Sequence, residues 1–238
     1  MSKKVAIDPG HGAHDPGAVG GSRLEKNDNL LYATRLAAVF RSRGIEVVMT
    51  RTGDTYPTYD QRTAIERNNK CDLAICCHRN AATTATATGL ELWLHSQAPQ
   101  SYVNWAKSMV AKIKAVGMNI RAGQYGEGVY KGMPGAPSSN FYWNNGTNSP
   151  SVLVELGFIT NSADNAVFDA KVDALVTAIA DASCDFLGVS YGEPEAPQGP
   201  DYKALYEQSQ AAKDALQAKY DGLKADMNAI KKIAQKEG

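Results

Sequence analysis

The chain has 238 residues, 43% of them hydrophobic, and its 25 basic and 25 acidic side chains cancel to a formal net charge of zero. That leaves room for one domain of about 190 residues with its own core, plus an appendage. Balanced charge argues against work on nucleic-acid phosphates or an anionic membrane surface, and no apolar run reaches the length of about 18 residues that a membrane span needs, so neither partner is expected. The N-terminus enters a strand pattern at once, without the apolar region or small-residue cleavage site of a signal peptide, so the protein is expected to be made in the cytoplasm and not exported by that route. Cys76 and Cys77 sit together in an apolar run, Cys71 and Cys184 stand apart, and no Cys-x-x-Cys spacing occurs. Reduced core thiols are expected rather than a disulfide framework or a cysteine zinc site.

In chain order, Lys4–Asp8 reads as a short strand that runs into Pro9 and Gly10, where proline fixes φ and glycine turns the chain. His11 is thereby presented at a strand's carboxyl end, where open α/β sheets put their chemistry. A Gly-rich turn runs to Gly21, and Glu25 lies just before a helical pattern expected from about Asp28 to Arg43, with Leu30, Ala33, Ala37 and Phe40 on one stripe. Gly44 closes that helix. Ile45–Thr50 is a second strand, and Thr58 and Gln61 have the capping-box spacing that opens a helix to Asn69. Leu73–Cys77 is apolar throughout, as a strand buried on both faces requires, and hands over to His78.

Gly89–His95 alternates, with Leu90, Leu92 and Leu94 opposite Glu91, Trp93 and His95, and is expected to be a half-exposed strand near an edge. A helix follows from Ser101 to about Val116, burying Val103, Ala106, Val110 and Ile113. The segment Gly117–Pro150 is rich in Gly, Asn, Ser and Pro and carries Tyr125, Tyr130, Phe141, Tyr142 and Trp143. A loop of that length with aromatic side chains has the composition of a ligand wall. Ser151–Leu156, containing Glu155, is the last strand and Lys171–Leu187 the last helix of the domain. Apolar runs alternating with helical patterns predict an α/β fold, a sheet covered by helices. If the strands before His11, before His78 and through Glu155 are parallel, their ends meet.

Residues 1–189 thus form the main domain, and 190–200, with three prolines, an extended linker. Residues 201–238 read as an amphipathic helix in which Leu216, Tyr220, Leu223, Met227, Ile230 and Ala234 recur at steps of four and three. That seam fits either a coiled coil with a second copy or a helix folded back onto the domain, and periodicity does not separate the two.

Catalytic zinc sites use three ligands drawn from His and carboxylates and keep a fourth position for water. His11, Glu25 and His78 supply that set, two of them placed at strand ends by backbone arguments; the alternative is two unrelated histidines and a surface glutamate. His14, close to His11, is a competing ligand in a Gly-rich turn, and His95 reads as a surface residue. Glu155 closes an apolar run, where desolvation raises a carboxyl pKa and suits it to general-base work near activated water. A glutamate that caps a turn or pairs with an arginine fits the same position. Asn80 and Arg121 are candidate substrate contacts or solvated surface groups.

The segments Ile7–Gly12, Asp15–Ala18, Glu25–Lys26, Thr50–Arg51, His78–Ala81 and Leu153–Asn161, in this order, resemble the motifs of the zinc-dependent N-acetylmuramoyl-L-alanine amidases over roughly residues 3–188. The resemblance implies a mostly parallel twisted sheet flanked by helices, Zn2+ held by His11, Glu25 and His78, and Glu155 as the catalytic residue. Where the family usually has Ser-Ile before its second histidine, this chain has Cys76 and Cys77, and its loop after Arg121 diverges. The implied reaction is hydrolysis of the peptidoglycan amide between N-acetylmuramic acid and the L-alanine of the stem peptide, by zinc-activated water with Glu155 as base and then acid. Without a signal peptide, such an enzyme fits a phage endolysin or an autolysin that reaches the cell wall after release. A zinc peptidase acting within the stem peptide and a non-catalytic wall-binding module are the alternatives. Weak self-association through the C-terminal helix is also expected, since the seam needs a partner to be buried.

Overall fold

A computed structural model describes residues 2–192, 218–224 and 227 of the chain. The elements run β1 (Lys4–Pro9), β2 (Val19–Gly20), β3 (Arg23–Leu24), α1 (Glu25–Ser42), β4 (Glu46–Met49), α2 (Tyr59–Asn69), β5 (Leu73–Asn80), β6 (Glu91–Leu94), α3 (Gln100–Val116), β7 (Val129–Lys131), α4 (Tyr142–Gly146), β8 (Ser151–Phe158) and α5 (Ser162–Leu187). Six strands form one sheet in the order β4-β1-β5-β8-β6-β7, and β2 and β3 pair as a small hairpin. β4, β1, β5 and β8 are mutually parallel, while β6 runs antiparallel to β8 and parallel to β7. The sheet is therefore mostly parallel, as expected, and the carboxyl ends of β1, β5 and β8 lie side by side.

Strand periodicity of two divides the sheet's side chains between its faces. Val5, Ile7, Leu73, Ile75, Cys77, Leu92, Leu94, Val152, Val154 and Leu156 join one large core with the buried stripes of α1, α3 and α5. On the other face Ala6, Ala74, Cys76, Trp93 and Leu153 form a smaller cluster with Cys71 and Trp143. All four cysteines are buried and free. Among the described residues no helix is long and apolar enough to cross a membrane.

Four local expectations are revised. α1 starts at Glu25 rather than Asp28, because two acids in its first turn suit the helix dipole while Leu24 offers no side-chain cap to announce the start. Its core stripe is Tyr32, Ala33, Leu36, Ala37 and Phe40, with Leu30 only partly buried. α5 starts at Ser162, capped by the Asn161 side chain, and the change of pattern at Lys171 is a kink (φ −134°, ψ 15°) rather than a start. β6 lies near an edge as expected, with only β7 outside it, but it is not half-exposed: Trp93 is covered by a stacked Tyr130 ring at 4.5 Å and an edge-on Phe141 at 5.6 Å. Alternation there distinguishes an apolar face from a buried polar one.

The capping box of α2 forms as expected, Gln61 N donating to Thr58 Oγ1 and Thr58 N to Gln61 Oε1. The chain divides into two compact units, Met1–Pro194 and Glu195–Gly238. In the second unit residues 218–224 and 227 are helical, with Tyr220, Leu223 and Met227 exposed. The rest of the expected seam, Leu216, Ile230 and Ala234, and the linker from 193 onward lie outside the described residues.

Candidate metal centre

At the end of β1 the chain passes through Pro9 and Gly10 into His11, whose φ of 62° is left-handed and costly for a residue with a side chain. Two buried guanidinium groups hold it there. Arg62 donates to His11 O (2.8 Å) and Pro9 O (2.8 Å), and Arg51 to Gly10 O (2.9 Å) and Pro9 O (2.9 Å). Arg62 is neutralised by Asp8 at 2.8 Å, and both side chains are only 4% exposed. Glycine is required at position 10 by close approach, since a Cβ there would lie 2.3 Å from the His78 ring.

Glu25, 4% exposed at the first position of α1, sits between the two histidines. Its Oε2 is 3.1 Å from His11 Nε2 and its Oε1 is 2.8 Å from His78 Nδ1. Ala18 N donates to Oε2 (2.8 Å) and Arg79 N to Oε1 (3.1 Å), so the carboxylate is aimed by the backbone as well. Burial pushes the Glu25 carboxyl up, but its hydrogen bonds to His11 and His78 outweigh this and hold it far below the usual range. Burial likewise lowers the His11 pKa, yet hydrogen bonds and charges from Glu25 and Asp15 turn the net shift upward. His11 Nδ1 bonds Asp15 Oδ2 at 2.8 Å, which fixes the ring and leaves Nε2 facing Glu25.

One donor atom from each of His11, Glu25 and His78 lies within 4.8 Å of the others, and among the described residues no other such cluster occurs. His14 is exposed, its ring against Tyr56 at 4.5 Å, and it is not part of the cluster. His95 is partly exposed, its Nδ1 accepting from Gln97 N and its Nε2 beside Asn140.

Glu155 lies directly across from His78 in the pairing of β5 with β8. Its Oε2 is enclosed and has no hydrogen-bond partner. Burial, then the negative charges of Glu25 and Glu91, raise its carboxyl well above the usual range. Glu91 is a buried hub that sequence reasoning assigned to the exposed side of its strand. It pairs across the sheet with Glu155, accepts from Asn80 Nδ2 (2.9 Å) and Trp93 Nε1 (3.0 Å), and forms an ion pair with Arg121 at 2.7 Å. Asn80 and Arg121 thus converge on the same carboxylate. Asn80 lines the central cavity, whereas Arg121 stands outside its wall with its guanidinium 4.9 Å from the Phe158 ring centre.

Arg62 and Arg79 were also missed. Arg79 is fully enclosed, pairs with Asp28 at 2.8 Å and lies 4.3 Å from the Phe168 ring centre, gripping α1 and α5 while its backbone N–H aims Glu25. The one signal for Arg62 was that α2 has no apolar stripe; a helix whose buried residues are Arg62, Thr63 and Glu66 docks through polar bonds.

The site opens into a cavity of about 560 Å³ whose wall includes His11, Glu25, His78 and Glu155 together with Tyr59 and Tyr142. Two imidazole nitrogens and a carboxylate, one imidazole fixed by an outer carboxylate, facing open space and an unpaired acid, fit a catalytic zinc ion in donor type and number.

Comparison with known proteins fits this geometry. Residues 5–184 match the family model described as N-acetylmuramoyl-L-alanine amidase. The chain is 32% identical over 162 residues to the uncharacterized protein YqiI of Bacillus subtilis, covering 68% of this chain and 73% of that one. It is 30% identical over 191 residues to the N-acetylmuramoyl-L-alanine amidase LytC of the same organism, covering 78% of this chain but only 36% of LytC. The solved catalytic domain of CwlV, an N-acetylmuramoyl-L-alanine amidase from Bacillus (Paenibacillus) polymyxa, superposes with a TM-score of 0.68 at 30% identity, over 79% of this chain and 99% of that one. With a family model matched across most of its length and the same fold in that catalytic domain, the chain belongs to the N-acetylmuramoyl-L-alanine amidase family of peptidoglycan hydrolases.

Proposed function

We propose that this protein hydrolyses the amide between the lactyl group of N-acetylmuramic acid and the L-alanine of the stem peptide, with zinc held by His11, Glu25 and His78. The observation that carries the reading is the gathering of these three donors within 4.8 Å on one cavity with Glu155, whose free carboxylate oxygen has nothing else to bond. Bound there, zinc supplies Lewis-acid polarisation of the amide carbonyl and of a water molecule. Glu155 takes a proton from that water as the C–O bond forms and returns it to the alanine nitrogen as the C–N bond breaks, giving a lactyl carboxylic acid, which ionises to solvent, and a free amine. His11, oriented by Asp15, and the backbone-aimed Glu25 hold their positions through both steps. Asn80 contacts substrate from the cavity wall, and Arg121 touches only parts of it that extend beyond Glu91.

The protein acts on bacterial peptidoglycan as an endolysin or autolysin after release from the cell that makes it. Residues 201–238 add weak self-association. Mass spectrometry of digested cell wall tests the activity by asking where new amino groups arise. New amines on L-alanine support it, new amines further along the stem peptide indicate a peptidase, and wall binding without any cut indicates a non-catalytic module.

A further inference from the structure

We infer that the stacked, exposed pair Tyr59 and Tyr142 at the cavity rim is a sugar subsite, which takes a pyranose ring of the glycan strand beside the metal cluster. The inference rests on the proposed reaction and names which side of the site holds the glycan. Tyr59 is the first residue of α2, pinned by the Thr58–Gln61 capping box, and Tyr142 is the first residue of α4, its hydroxyl bonded to Asp60. The two rings lie 5.0 Å apart at 29° and are 57% and 44% exposed, so each keeps much of its surface in water. Both belong to the wall of the cavity that holds His11 and Glu155. Among the described residues, the other large apolar side chains this exposed are not in ring-stacking contact with one another. A pre-positioned aromatic patch of this kind at a cavity mouth marks a ligand surface, and its rigidity lowers the cost of binding.

The chemistry beside the rings selects the occupant. A pyranose offers a flat face of weakly positive C–H groups to the electron-rich face of an aromatic ring, and hydroxyls at its edge. The acidic groups near the rings are Asp60 next to Tyr142, and Asp15 in the same cavity wall. Asp60 accepts from sugar hydroxyls, Asp15 is held by His11 and Gly17, and both repel the free carboxylates of a stem peptide. The two guanidinium groups in the wall offer such carboxylates little, since Arg62 is bonded to Asp8, Pro9 and His11, and Arg79 to Asp28 and Asn165. The neutral, hydroxyl-rich part of the substrate therefore belongs on the tyrosine side.

Calorimetric titration of the full chain with two probes tests this: the N-acetylglucosaminyl-N-acetylmuramic acid disaccharide with its lactyl group as the neutral methylamide, and the free dipeptide L-alanyl-D-isoglutamine. Tyr59→Ala and Tyr142→Ala should each weaken disaccharide binding about tenfold or more and leave dipeptide binding within about twofold. Tyr59→Phe, which keeps the ring, should bind the disaccharide as the unaltered protein does. Unchanged disaccharide affinity in both alanine variants overturns the subsite, as does a loss confined to the dipeptide. Wall digestion by the unaltered protein separates the two levels: failure to cut at L-alanine sinks the proposed reaction, whereas a cut there with unchanged glycan affinity in the variants sinks the subsite alone.

Discussion

The two faces of the central sheet differ in how they hold together. Toward α1, α3 and α5 the strands present branched and aliphatic side chains that interlock with helix stripes in one continuous apolar core. Toward α2 and α4 the same strands present Ala6, Asp8, Ala74, Cys76, His78, Glu91 and Glu155, small residues low on the sheet and ionisable ones near the strand ends. Small side chains leave room for Arg62 to reach Asp8, and directional bonds replace close packing in setting positions. Stability on the first face is thus spread over many contacts between apolar side chains. On the second it is concentrated in a few bonds that also aim the donors.

The largest effect is expected at the metal donors. His11→Ala and His78→Ala should each lose both bound zinc and hydrolysis, read by elemental analysis and wall digestion, because two remaining ligands fall short of the three that a catalytic zinc site uses. Full zinc occupancy in His78→Ala would remove His78 from the ligand set and contradict the proposed site.

Next come two variants that set the faces against each other. Arg62→Met strands Asp8 in an enclosed place and should cost about 3–5 kcal/mol in urea unfolding, while zinc affinity drops about 10–100-fold as His11 loses its backbone anchor. Leu36→Ala, in the apolar core, should cost a comparable 2–5 kcal/mol or so and leave zinc affinity unchanged. Equal zinc affinity in both variants would erase the distinction between the faces.

Smaller still is Thr58→Ala, which removes the cap of α2 and should cost about 1 kcal/mol by the same unfolding assay. Least is expected from the tail: light scattering should show weak self-association of the full chain and none in a chain ending at Ser190, which should hydrolyse wall at the same rate. If both are monomeric, the tail does not bring copies together.

What the sequence made legible follows the same division. The strands β1, β5 and β8, the α2 capping box, the buried cysteines and the placement of His11 and His78 near strand ends come from local signals: apolar runs, a proline–glycine stop, a Thr–Gln spacing; the parallel pairing of the strands was implied by the family resemblance. Glu91, Arg62 and Arg79 were hidden because burial of a charge depends on a partner far along the chain. Glu91 meets Arg121 across 30 positions, Arg62 meets Asp8 across 54, and Arg79 meets Asp28 across 51. Alternation in Gly89–His95 was read as apolar-in and polar-out, the usual sense for a half-covered sheet, when Phe141 and Trp143 from the long loop cover its second face. The loop's aromatic content pointed to a ligand wall, but nothing local showed that Tyr142 would stack on Tyr59, 83 positions earlier.

The most direct test is Glu155→Gln, which keeps the side chain's shape and removes its capacity to carry a proton. Zinc content and turnover measured on the same sample should show about one metal per chain, as in the unaltered protein, with hydrolysis at L-alanine reduced at least about a hundredfold. Undiminished turnover would make Glu155 structural, and loss of zinc would make it a ligand; either result contradicts the assignment of the unpaired carboxylate in β8 as the base.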